Sequence, residues 1–106
     1  MLISELSDYW RGWVIGDFSP SILKTDLFEV GILKHLKDEA WPAHYHAEAV
    51  EYNILVEGSM MIQNKIISAG TVFVLERMEI ANPVFLEDCT VVCIKVPSRP
   101  SDKINI

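Results

Sequence analysis

The sequence predicts an all-β chain that closes into a small barrel or sandwich. Short apolar segments recur between turn signals at intervals of about eight to twelve residues, the spacing of an all-β domain. Where the pattern is clearest the two faces separate: Glu51, Asn53 and Leu55 fall on one side of a strand, Tyr52, Ile54 and Val56 on the other. At 106 residues the chain supports one core and no more, so its strands are expected to cover one another's edges.

Taken in order, residues 1–8 hint at a short helical turn and the strands follow. They are expected at 12–18 (GWVIGDF), 27–36 (LFEVGILKHL), 43–47 (AHYHA), 51–58 (EYNILVEG), 59–64 (SMMIQN), 65–68 (KIIS), 71–75 (TVFVL) and 89–96 (CTVVCIKV). Asn64-Lys65 reads as a tight hairpin turn, since Asn tolerates a positive φ. Gly58 and Gly70 suit turns for the same reason. The tail from Pro97 to Ile106, with prolines at 97 and 100, reads as an extended arm over the body or over a neighbour. No repeat or linker divides the chain, so residues 1–106 are expected to form one domain.

Composition narrows the function classes. A net charge of −6 without any basic cluster disfavours nucleic acid as a partner. No segment approaches the roughly 20 apolar residues of a membrane helix, and Glu5 and Asp8 stand where a secretory signal carries basic and apolar residues. A cytoplasmic protein is the expectation. Cys89 and Cys93 lie ~13 Å apart along a strand that rises ~3.3 Å per residue. A disulfide needs Cα atoms within roughly 7 Å, so two reduced, buried thiols are expected. Half of the residues are apolar, more than so small a core absorbs, which points to a homodimer. The early strand around Trp13 to Phe18 and the terminal arm are its expected contacts.

The segment HYHAEAVEYNILVEG carries the chemistry. His44 and His46 share one face of a strand, and the next strand begins with Glu51, so the three side chains can converge at one depth. Two imidazoles and a carboxylate suit Zn²⁺, Fe²⁺, Mn²⁺, Ni²⁺ or Cu²⁺ and leave coordination positions open. Asn53 shares the face of Glu51 and is placed to hydrogen-bond a metal-bound water or a ligand. A metal-free alternative uses the same residues as a polar cluster, with Glu51 favouring protonated histidine. Trp10, Trp13 and Trp41 are candidates for a ring-binding pocket or for core packing. His35 reads as a satisfied histidine. No phosphate loop, nucleophile elbow or CxxC is present.

His44-x-His46-x4-Glu51-x6-Gly58 resembles the first motif of the cupin superfamily. Asp38 stands where that motif usually opens with glycine. The second motif, usually Gly-x5-Pro-x-Gly-x2-His-x3-Asn, begins at Gly70 and then departs: Glu76, Met78, Ala81 and Phe85 occupy the Pro, Gly, His and Asn places. The likeness spans residues 27 to 97, and GWVIGDFSPS, PAHYH and VPSRPSDK are similar to small single-domain cupins of unsettled activity. It implies a cupin-type β-barrel (a double-stranded β-helix, or jelly roll) that dimerises, with residues 97–106 as a C-terminal arm. It also implies metal ligands at His44, His46 and Glu51, and places the family's last histidine ligand at Ala81, which has no donor atom. Glu79, two residues earlier, is a candidate replacement ligand or base. Three functions remain open: a metal-binding cupin acting on a small molecule such as a carbohydrate derivative; a non-catalytic small-molecule module with a decayed metal site; and a regulatory interaction protein.

Overall fold

The computed structural model describes residues 1–106. Two 3₁₀ turns, Leu6–Asp8 and Trp10–Gly12, precede eleven strands. These are β1 (Trp13–Gly16), β2 (Leu23–Lys24), β3 (Glu29–His35), β4 (His44–His46), β5 (Val50–Glu57), β6 (Ser59–Ile62), β7 (Lys65–Ser68), β8 (Val72–Leu75), β9 (Val84–Phe85), β10 (Cys89–Val96) and β11 (Lys103–Asn105). They form a six-stranded sheet in the order β2-β1-β3-β10-β5-β8, a three-stranded sheet β7-β6-β9, and the pair β11-β4. Every pairing is antiparallel except β1 with β2. Isolated bridges Ala40–Val84 and His44–Ala81 tie the smaller sheets together. The result is an all-β barrel of jelly-roll type whose ladders do not run unbroken around the wall.

The central strand β10 explains how the interior is divided. Cys89, Val91, Cys93 and Lys95 point inward in strict alternation. Val91 lies opposite Leu33 of β3 and Leu55 of β5. One layer further on, Cys93 faces Gly31 and Asn53, and beyond that Lys95 faces Glu29 and Glu51. One end of the barrel is therefore apolar, filled by Leu55, Met60, Ile62, Leu75, Phe85 and Val91. The other end is lined by ionisable groups. Gly31 contributes space there: a Cβ on it would stand 2.7 Å from the Trp13 ring. Gly58, at φ +91 between β5 and β6, is required outright, because a Cβ would lie 2.3 Å from the Asp88 carbonyl oxygen.

The structure moves several boundaries. The hairpin between β6 and β7 is centred on Gln63 and Asn64, with φ 51 and 61, and Ile62 pairs with Lys65. This is one residue earlier than Asn64-Lys65: two successive positive φ values make the twist that a two-residue loop needs, and glutamine supplies the first of them. Three short strands have no counterpart in the sequence pattern, namely β2, β9 and β11. The terminal residues Lys103–Asn105 pair with His46–His44 of the same chain, and the Ile106 amide donates to the Ala43 carbonyl. Trp13 likewise turns inward against Gly31. An exposed apolar face lies outside β5 and β8, where Tyr52 opposes Val74 and Ile54 opposes Val72. Both cysteines are free and buried.

Candidate metal centre and the cavity around it

Strand β4 turns His44 and His46 into the barrel, 8% and 6% exposed, with their rings edge to face 5.7 Å apart. Each imidazole is held through its Nδ1. In His44 that nitrogen lies 3.0 Å from the Pro42 carbonyl oxygen, and in His46 it lies 2.9 Å from Asp102 Oδ1. A carbonyl and a carboxylate only accept, so both Nδ1 atoms donate, and in the neutral form of each ring the lone pair is on Nε2. A partner on the far ring nitrogen is the usual second support of a metal-ligating histidine. His46 Nε2 is 3.6 Å from Glu51 Oε1, the nearest carboxylate on β5.

Electrostatics keep the pair neutral on the His44 side. Burial lowers the pKa of His44, and nearby Lys103 and His46 add to the shift against the Pro42 carbonyl and Glu51. Asp102 behaves in the opposite sense. Burial alone would raise its carboxyl pKa, yet hydrogen bonds from His46 and from the amides of Ala49 (2.9 Å) and Glu48 (3.1 Å) hold it below the ordinary value. Asp102 thus stays ionised and fixes the His46 ring.

His44, His46, Glu51 and Asn53 are brought to one cavity, of about 940 Å³. The ligand chemistry fits a divalent transition ion: two imidazole lone pairs, both supported from behind, beside one carboxylate. As arranged, though, no three His, Cys, Asp or Glu side chains are gathered closely enough to hold an ion, so binding requires them to close in. The fourth wall is Ala81, 2% exposed and bridged through its backbone to His44. The Asn53 amide nitrogen donates to Glu51 Oε2 at 3.3 Å and so orients that carboxylate. Glu79 is not brought to the site: it lies outside the cavity lining, accepting from Gln63 and the Glu76 amide. His35 is satisfied by Glu39 and stacks on Phe85.

The sequence pattern passed over four residues here. Glu29, Lys95, Asp102 and Lys103 are all half-buried or deeper; three of them line the cavity, while Asp102 buttresses His46 from behind. Lys95 had a legible signal, because it continues the inward phase of Cys89, Val91 and Cys93. Asp102 and Lys103 had none, since they sit in an aperiodic, proline-flanked tail. Trp10, Trp13 and Trp41 also line the cavity.

Neither a protein-family model nor a curated protein matches the sequence. Solved structures do match the fold. A double-stranded β-helix protein from Klebsiella pneumoniae has a TM-score of 0.71 at 12% identity, covering 97% of this chain and 89% of its own. KdgF from Halomonas sp. has a TM-score of 0.67 at 21% identity, covering 72% and 74%. A cupin-2 domain protein from Shewanella frigidimarina has a TM-score of 0.61 at 24% identity, covering 71% and 76%. The chain has the cupin fold. Within it, His44, His46 and Glu51 line one cavity at the polar end of the barrel, and Ala81 stands beside His44. No helix is long and apolar enough to cross a membrane.

Proposed function

We propose that this cupin binds a divalent transition metal (zinc, iron, manganese or nickel) through His44, His46 and Glu51 and acts there on a small molecule. One observation carries the reading: both histidines are anchored at Nδ1 by pure acceptors, which leaves both Nε2 atoms available to a metal, His46 Nε2 beside the Glu51 carboxylate, in a cavity large enough for a ligand. When bound, the ion would act as a Lewis acid on a carbonyl or hydroxyl oxygen. The chain's own residues supply the rest. Asp102 orients His46, Asn53 orients Glu51, and the half-buried Trp13 and Trp41 wall the polar end. The apolar outer face of β5 and β8 supports a homodimer in the cytoplasm.

Elemental analysis of protein purified without a histidine tag or chelator tests this. Close to one ion per chain is expected, and none in His46→Ala. A second reading, a small-molecule or regulatory module that holds no metal, draws on Ala81 and on the cation Lys103 near His44 and Glu51. Absence of metal from the wild type would favour it, and one ion per chain retained in His46→Ala would place the metal away from His46.

A further inference from the structure

The cavity holds cations that form no salt bridge within the protein. Lys95, Lys103 and Arg11 all line it. Carboxylate oxygens lie within 4 Å of a ring or guanidinium nitrogen in His35, His46 and Arg99, and of none of these three cations. Their contacts are with aromatic faces. Lys95 Nζ lies 4.9 Å from the Trp13 ring centroid, Lys103 Nζ 4.0 Å from that of Trp41, and the Arg11 guanidinium 4.9 Å from the same Trp41 ring. Such contacts orient a cation without neutralising it.

Two features make this more than a solvated basic patch. Lys95 is only 9% exposed, and a lysine so deep is ordinarily paired. Glu29, its cross-strand neighbour, is 3% exposed and its Oε1 has no hydrogen-bond partner. Arg11, Lys34, Lys95 and Lys103 line the cavity against two carboxylates, Glu29 and Glu51, a surplus of positive charge in a chain whose net charge is −6. An acidic protein that concentrates unpaired cations in its largest cavity has a site for an anion.

We propose that this cavity is a subsite for a small hydroxy acid, whose carboxylate is taken by Lys95, Lys103 and Arg11 and one of whose hydroxyls meets the free Oε1 of Glu29. The proposal rests on the reading of the cavity as a small-molecule site and names its ligand class. It does not depend on the metal. Cross-strand pairing sets Lys95 beside Glu51, so an acid held there would point its remaining oxygens toward His44 and His46.

Titration calorimetry on metal-free wild type, with two matched pairs of probes, tests the proposal: L-lactate against propane-1,2-diol, and D-glucuronate against D-glucose. At least one acid should bind, with its neutral counterpart at least about tenfold weaker. Lys95→Met and Lys103→Met should each weaken the acid about tenfold or more, the loss of one charge-assisted hydrogen bond, and Lys95→Arg should restore part of it. His46→Ala should lose the metal and keep the acid, which separates a failure of the metal reading from a failure of this one. Equal binding of acid and neutral probe, or no binding of either acid at millimolar concentration, overturns the proposal. So does full affinity in Lys103→Met, a variant at the chain end that stays informative if Lys95→Met does not fold.

Discussion

Asp102 is the residue through which the tail and the candidate site are joined, and its removal gives a quantitative test. In Asp102→Ala three donors lose their acceptor: His46 Nδ1–H at 2.9 Å, the Ala49 amide at 2.9 Å and the Glu48 amide at 3.1 Å. His46 and Ala49 are buried, so water does not readily replace the carboxylate. A buried donor left unsatisfied costs roughly 1–3 kcal/mol, so two of them give a loss of about 3 kcal/mol. At an unfolding entropy of about 2.1 cal/mol/K per residue, that corresponds to a fall in Tm of roughly 10–15 °C. Urea denaturation of both proteins at pH 7 measures it. The milder Asp102→Asn keeps an acceptor oxygen but loses the charge behind His46, and metal affinity should fall about 10- to 100-fold. A stability change in Asp102→Ala within about 0.5 kcal/mol, the range of an ordinary surface substitution, would refute the reasoning.

Ala81→His should tighten metal binding, because residue 81 bridges to His44 and faces the cavity; unchanged affinity in a calorimetric titration would mean the new imidazole does not reach the ion. Acid sensitivity should follow Asp102. Its folded pKa lies below the ordinary 3.8, so its stabilisation is full above that value and disappears as pH falls through the folded one. The stability gap between wild type and Asp102→Ala should accordingly shrink below about pH 4 in denaturation curves, and a gap that persists at pH 2 would contradict the ionised pairing. Assembly is read by sedimentation velocity. Wild type should sediment as a dimer of the 12.0 kDa chain, and Val72→Lys, on the exposed edge strand opposite Ile54, should give monomer; a wild-type monomer at micromolar concentration would reject the homodimer.

The long strands were legible because each keeps one face buried. Period-two alternation in β5 and β10 is imposed by the core, and both runs can be read directly from residues 51–57 and 89–96. The convergence of His44, His46 and Glu51 followed from the same period. Strands of two or three residues carry no period, so β2, β9 and β11 were invisible, and β11 exists only because β4 offers it a free edge. The hairpin was displaced by one residue because Gln63 takes a positive φ that its side chain does not advertise. Asn53 was legible as facing the cavity, but a face assignment does not show its bond to the carboxylate two residues away. Asp102 was hidden by distance in sequence: its bond to His46 spans 56 residues and rests on the path of the tail.

The central claim is that His44, His46 and Glu51 close around one ion, and anomalous diffraction from crystals of metal-loaded protein tests it most directly. The account predicts a single strong anomalous peak at the polar end of the barrel, within coordination distance of both Nε2 atoms and a Glu51 oxygen. A peak on an Nδ1 face or on the surface, or no peak at full metal loading, would contradict it.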